Sequence, residues 1–93
     1  MKVLLDPTHA APAFRRLPPT MKKRVKAALK LLAEDPTGTS NHLDVRRLDA
    51  DPGQAMYRLR LGEWRAAFTI ESAIIVLRIF HRSEGYGWLA DMA

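Results

Sequence analysis

The period of the apolar positions changes along the chain. Met21, Val25, Ala28, Leu29 and Leu32 recur at i, i+4, i+7, i+8 and i+11, one stripe on a helix of 3.6 residues per turn. The spacing predicts a helix over Met21–Glu34, with Lys22, Lys23, Lys26 and Lys30 on its remaining surface and Pro36 and Gly38 ending it. Upstream, Lys2–Asp6 reads as a short strand with Val3 and Leu5 on one face. Asp6-Pro7-Thr8 breaks that strand. Thr8 is the expected cap of a short helix ending near Leu17, whose start is at Thr8 or delayed to Pro12. Pro18-Pro19-Thr20 is a second break with Thr20 as N-cap, so the two helices are expected to form a hairpin.

Downstream the period falls to two. Ala55–Leu61, Arg65–Glu71 and Ala73–Phe80 read as three consecutive antiparallel strands, joined by turns at Gly62-Glu63 and Glu71-Ser72. Between helix and strands, Asp35–Gln54 is rich in Pro, Gly, Ser, Asn and Asp. It is expected to be a long loop tacked to the core by Leu43, Val45 and Leu48, a length that is often functional. The order is that of an α+β fold: an N-terminal strand, a helical hairpin, then an antiparallel β-meander with the helices on one sheet face.

Length and composition bound the rest. The chain has 93 residues, 47% of them hydrophobic and 27% charged. That suits one domain over residues 1–93 with one core. It has no cysteine, which excludes a disulfide scaffold, a thiol nucleophile and a thiolate metal site. The longest purely apolar run is Ala73–Leu77, far short of the roughly 20 residues of a membrane span. No signal peptide is visible, so a cytoplasmic location and no membrane partner are expected. The net charge is +5, which suggests a polyanionic partner.

The charge is segregated. All five lysines lie between Lys2 and Lys30, and every Lys or Arg position of residues 50–93 is an arginine: Arg58, Arg60, Arg65, Arg78 and Arg82. A planar guanidinium suits bidentate phosphate binding. Strand alternation places Tyr57, Leu59 and Leu61 with Ala66, Phe68 and Ile70 and with Ile75, Leu77 and Ile79 over one core. Arg58 and Arg60, then Arg65, Ala67 and Thr69, then Val76, Arg78, Phe80 and Arg82 fall on the other face, and no acid of these strands shares it. Phe80, Tyr86 and Trp88 lie on or near that face and Trp64 at the hairpin tip, although Trp88 is expected to plug an end of the core. A base stacked on such a ring is worth about 1–3 kcal/mol. His81 follows the last strand; beside phosphate-binding arginines it is a candidate for proton transfer near neutral pH. The three histidines are too scattered for a metal site, and no cofactor motif is present.

Tyr57-Arg58-Leu59-Arg60-Leu61-Gly62-Glu63-Trp64-Arg65 and His81-Arg82-Ser83-Glu84-Gly85-Tyr86, in this order and over nearly the whole chain, resemble the RelE/ParE superfamily of prokaryotic toxins. The resemblance implies a RelE-like microbial RNase-type fold. For the RelE branch it implies cleavage of mRNA in the ribosomal A site, by attack of the ribose 2′-hydroxyl on the adjacent phosphate without a metal. On that resemblance Arg65 would neutralise the phosphorane, and His81, Arg82 and Tyr86 would complete the catalytic group. Arg58, Arg60, Arg78, Lys22, Lys23 and Lys26 would bind RNA. Arg46 and Arg47 stand where some relatives carry an acid, and Phe80 where some carry an arginine, so the base stays open between His81 and Tyr86. The implied partners are a cognate antitoxin, the 70S ribosome and mRNA, with no small-molecule cofactor. The ParE branch, which poisons DNA gyrase, and an RNA-binding member that does not cut are the alternatives. Arg58, Arg60, Arg65 and Tyr86 together favour the nuclease.

Overall fold

The computed structural model describes residues 1–48 and 55–92. Five strands form one sheet: β1 (Val3–Leu5), β2 (Asp44–Leu48), β3 (Met56–Leu61), β4 (Trp64–Ile70) and β5 (Ile74–His81), in the spatial order β1-β5-β4-β3-β2. β2 to β5 run antiparallel to their neighbours, while β1 closes the far edge parallel to β5. Between β1 and β2 in sequence come α1 (Ala10–Arg16) and α2 (Pro19–Glu34). Two short 3₁₀ turns, Arg82–Glu84 and Gly87–Met92, follow β5.

The α2 stripe does what its spacing predicts. Val25, Ala28, Leu29 and Leu32 are buried against Leu59, Ala66, Phe68, Ile74, Val76 and Ile79, with Ala10 and Leu17 at the α1 end. Both helices therefore cover one sheet face. Their entries differ from expectation. α2 starts at Pro19, one residue before the expected cap, and Thr20 lies inside it. Proline at the first helical position has no N–H to satisfy and a preset φ, so no side-chain cap is needed. At α1 the Asp6 carboxylate accepts the His9 N–H at 2.8 Å, and the Asp6 carbonyl accepts the Ala11 N–H. Asp6 thus does what Thr8 was expected to do.

The expected long loop contains β2. Asp44–Leu48 pairs with β3 from Asp44↔Arg60 to Leu48↔Met56; Asp49–Gln54, the rest of that loop, lies outside the described residues. Ahead of β2, the Asp35 carboxylate accepts N–H and O–H bonds from both Thr37 and Ser40. Led by the Thr37 hydroxyl, these hold its pKa well below the usual carboxylate range. Gly38 turns the chain there with φ +74.

A bulge overturns part of the face assignment. Ala67 pairs with Arg78, but Phe68 pairs with Val76, so Leu77 is the extra residue. Ile74, Val76 and Ile79 face the main core, not Ile75, Leu77 and Ile79. The other sheet face is also partly covered. Met56, Ala67 and Phe80 are buried there beneath Leu48, Leu77, Tyr86, Trp88 and Leu89. Trp88 joins this second cluster rather than plugging the main core.

Candidate nucleic-acid interface

Residues directly opposite one another in a sheet share a face, so the register assembles the site. One row across the sheet reads Arg46, Arg58, Ala67, Arg78; the next reads Asp44, Arg60, Arg65, Phe80. Five arginines thus lie on the face away from the helices. Arg46 is the addition that the missing strand concealed.

The face is not purely basic. Asp44, also supplied by β2, lies on it. Its Oδ1 is 3.5 Å from Arg58 Nη1 and 3.9 Å from Arg46 Nε. The expectation that no acid shares this face rested on three strands, and the fourth overturns it. The Arg58 side chain is only 11% exposed, so the Asp44 carboxylate compensates a charge that is largely out of water. Arg60 is exposed.

Arg65 bends toward the hairpin end. Its Nη1 donates to the carbonyls of Gly62 at 2.8 Å and Trp64 at 2.9 Å. Those bonds fix the guanidinium at the β3–β4 turn through one nitrogen. Gly62 has φ +59, the left-handed conformation the two-residue turn requires. The Arg24 guanidinium of α2 reaches the same turn: a Cβ on Gly62 would come 3.2 Å from Arg24 Nη1.

Arg78 is held differently. Its guanidinium stands over the Trp88 ring, 5.4 Å from the centroid, and Nη1 donates to the Leu77 carbonyl. The Tyr86 ring meets Phe80 edge-on at 5.2 Å, and Phe80 pairs with Arg65 in the register. Tyr86 therefore sits on the Arg65 side of the sheet.

His81 does not. It pairs with Trp64, which pairs with Leu61, a row on the helix side. Its ring lies edge-on to Trp64 at 5.4 Å. Nε2 is 3.1 Å from Glu63 Oε2 and Nδ1 is 2.8 Å from Ser83 Oγ. Glu63 Oε1 is also 3.7 Å from Arg82 Nη2, and the Arg82 N–H donates to the Glu63 carbonyl. His81, Arg82 and Arg65 thus meet around one turn, Gly62-Glu63, from two sides of the sheet end.

Lys22, Lys23 and Lys26 stand apart. They belong to α2, across the sheet from the arginine rows. Lys26 and Lys30 instead rim an apolar groove of about 390 Å³ between Val3, Leu5, Phe14, Leu29 and Ala33. Sequence reasoning missed Asp44, Glu63 and Arg24. Glu63 was within reach, since the hairpin turn must abut the end of the third strand. Asp44 was not, because its strand was not recognised. Among the described residues no three His, Asp or Glu side chains converge as metal ligands, and no helix is long and apolar enough to cross a membrane.

A protein family described as the ParE toxin of the type II toxin–antitoxin system parDE matches residues 7–86. The structure is similar to that of the archaeal RelE–RelB complex from Pyrococcus horikoshii, with a TM-score of 0.73 and 22% identity over 90% of this chain and 97% of that one. It is also similar to the RelB–RelE antitoxin–toxin complex from Methanococcus jannaschii, with a TM-score of 0.72 and 21% identity over 91% of this chain and 96% of that one. At these identities the likeness is one of fold. A search of curated protein sequences finds no match.

Proposed function

The chain belongs to the RelE/ParE superfamily of type II toxin–antitoxin toxins, and from that membership we propose that it cleaves ribosome-bound mRNA and so blocks translation. The observation that carries this reading is the gathering of Arg60, Arg65, Arg82 and His81 around the β3–β4 hairpin end, with Tyr86 alongside. In attack of a 2′-hydroxyl on the neighbouring phosphate, negative charge grows on the phosphoryl oxygens. Guanidinium groups already in place stabilise that charge more than they stabilise the ground state. Arg65 suits the role best, because the turn carbonyls fix Nη1 and leave Nη2 and Nε for the phosphate. Arg60 and Arg78 orient the RNA backbone, and Tyr86 offers a ring face to a base. The reaction needs no metal in this scheme. The lysines of α2 contact ribosomal RNA from the opposite side, and the protein acts in the cytoplasm.

Such a toxin is held inactive by a cognate antitoxin. The groove between β1, α1 and α2 suits that partner: apolar walls accept an amphipathic segment, and Lys26 and Lys30 at the rim attract its acidic residues.

Inhibition of DNA gyrase is the second reading. The parDE family match favours it, as does the state of the arginines: Arg58 is tied to Asp44, and Arg78 lies against Trp88.

The test is addition of the purified protein, and of Arg65→Ala, to initiated ribosomes carrying a defined mRNA, with the 5′ ends mapped. Loss of a charge-assisted contact costs about 1.5–3 kcal/mol, so Arg65→Ala is expected to cut at least about tenfold more slowly. Cuts confined to the A-site codon support the nuclease. Intact mRNA at high protein excess, with lost gyrase supercoiling, supports the second reading.

A further inference from the structure

We propose that Arg24 of α2 is a further RNA-binding residue, holding a phosphate next to the scissile one as the mRNA strand passes around the β3–β4 hairpin end; this deepens the endonuclease reading and rests on it. The α2 stripe sets where Arg24 stands. Met21, Val25 and Ala28 pack toward the sheet, so Arg24 lies at the margin of the buried side, and its guanidinium reaches the Gly62-Glu63 turn. A Cβ on Gly62 would lie 3.2 Å from Arg24 Nη1 and 3.8 Å from Nη2. Gly62 thus serves twice. Its φ of +59 makes the turn, and its lack of a side chain leaves room for the arginine head.

Three guanidinium groups from three elements converge on that turn. Arg65 Nη1 donates to the Gly62 carbonyl at 2.8 Å, and Arg82 Nη2 lies 3.7 Å from Glu63 Oε1. The other Glu63 oxygen is 3.1 Å from His81 Nε2. Both oxygens of the turn's carboxylate are therefore engaged elsewhere, and among the described residues no carboxylate pairs with Arg24. Arg24 is exposed. Its N–H donors face water, and a guanidinium only donates. Like charges gathered at one turn repel one another, and a polyanion laid across them relieves that repulsion.

The placement joins two surfaces that otherwise stand apart. Arg60 and Arg65 lie on the face away from the helices, whereas Lys23, exposed beside Arg24, belongs to the helix layer. Arg24 extends from that layer to the sheet end. A strand whose scissile phosphate lies on Arg65 continues past Arg82 and over the turn to Arg24. Single-stranded RNA, with its bases unstacked and splayed, follows such a path. Arg24 touches a neighbouring phosphate and not the reacting one, so it strengthens binding and leaves the chemical step alone. A contact to phosphate carries no sequence information, so this strengthening is the same at every codon.

The experiment measures, by fluorescence anisotropy across salt concentrations, the binding of a single-stranded oligoribonucleotide whose 2′-O-methyl riboses prevent cleavage. Wild type is compared with Arg24→Ala, Arg24→Lys and Lys2→Ala, each checked for folding by circular dichroism, and single-turnover cleavage on programmed ribosomes is followed in parallel. Lys2→Ala removes the same charge at the other end of β5, where the Lys2 carbonyl accepts the Ile74 N–H. In Arg24→Ala the log–log salt slope is expected to fall by about 0.7, with binding about tenfold weaker at low salt. Arg24→Lys and Lys2→Ala are expected to keep the wild-type slope. On ribosomes Arg24→Ala should raise the half-saturating concentration and leave the saturated rate unchanged. An unchanged oligonucleotide slope in Arg24→Ala overturns the proposal; if the half-saturating ribosome concentration alone rises, the phosphate belongs to ribosomal RNA. Equal losses in Arg24→Ala and Lys2→Ala also overturn it, because they report net charge and not a contact. A wild-type protein that cuts no mRNA, with the Arg24 slope change present, overturns the endonuclease reading and leaves Arg24 as a contact to a nucleic-acid backbone.

Discussion

Asp44 on β2 and Arg58 on β3 meet 3.5 Å apart on the sheet face away from the helices. One carboxylate thereby holds a largely buried guanidinium on the face that carries the other arginines. Asp44→Asn separates stability from RNA binding. Arg58 loses its counter-charge, so the midpoint of urea unfolding should fall by an amount equivalent to about 1–3 kcal/mol. On the endonuclease reading, RNA affinity should nevertheless rise. Each added phosphate contact on a single strand changes the log–log salt slope by about 0.7, so binding measured across salt concentrations should steepen by about that much. An unchanged slope would mean that Arg58 does not reach RNA even when released.

The two turn glycines respond differently to alanine. Both have positive φ, which costs an L-residue about 1–2 kcal/mol. At Gly38 a Cβ would also lie 2.7 Å from the Leu43 carbonyl oxygen, a backbone atom that cannot move freely. At Gly62 its nearest neighbour is the end of the flexible Arg24 side chain. Gly38→Ala should therefore lower the melting temperature clearly more than Gly62→Ala. Equal losses would show that the Gly38 loop relaxes.

The Asp35 pKa lies below its ordinary value of 3.8 because Thr37 and Ser40 hydrogen-bond the charged form. A depressed carboxylate stabilises the fold at pH values above its unfolded pKa. That contribution is lost as pH falls below about 4 toward the folded pKa. Unfolding followed by circular dichroism from pH 6 to pH 2 should show wild type losing stability over this acid range. Asp35→Ala should be less stable at pH 6 and should lose less between pH 4 and pH 2. Parallel acid limbs for the two proteins would remove Asp35 from this role.

Among the described residues, Trp88 Nε1 is buried without a hydrogen-bond partner. An unsatisfied buried donor costs about 1–3 kcal/mol. Trp88→Phe removes that donor and keeps a ring against Phe80 and Arg78. Its stability should match or exceed that of wild type in urea, while Trp88→Ala should be clearly destabilised by loss of the packing. A large loss in Trp88→Phe would mean that Nε1 finds an acceptor in solution.

The sequence made the α2 helix and the three central strands legible because apolar residues recur in each: Val25, Ala28, Leu29 and Leu32 at a helical period, and Leu59 and Leu61 at a period of two in β3. β2 was illegible because Asp44-Val45-Arg46-Arg47-Leu48 offers only two apolar residues. An edge strand with one solvated side needs no more. The bulge was illegible for another reason. One unpaired residue reverses the parity of everything beyond it, and no local composition marks Leu77 as that residue. Within the candidate site, alternation placed Arg58, Arg60, Arg65 and Arg78 on one face, but not Arg46, whose strand was not recognised. The position of His81 was not legible either, because its surroundings come from the register at the strand end and from a turn residue 18 positions earlier.

The parallel strand at the sheet edge joins the two ends of the chain. Val3 pairs with Ile74, its partner 71 residues later. At about 5–20 residues per second of synthesis, the chain grows for roughly 4–14 s before that partner exists. The strand made first thus waits longest for its partner. A nascent chain therefore carries its basic residues past the ribosome that makes it before the scaffold that aligns them can be complete.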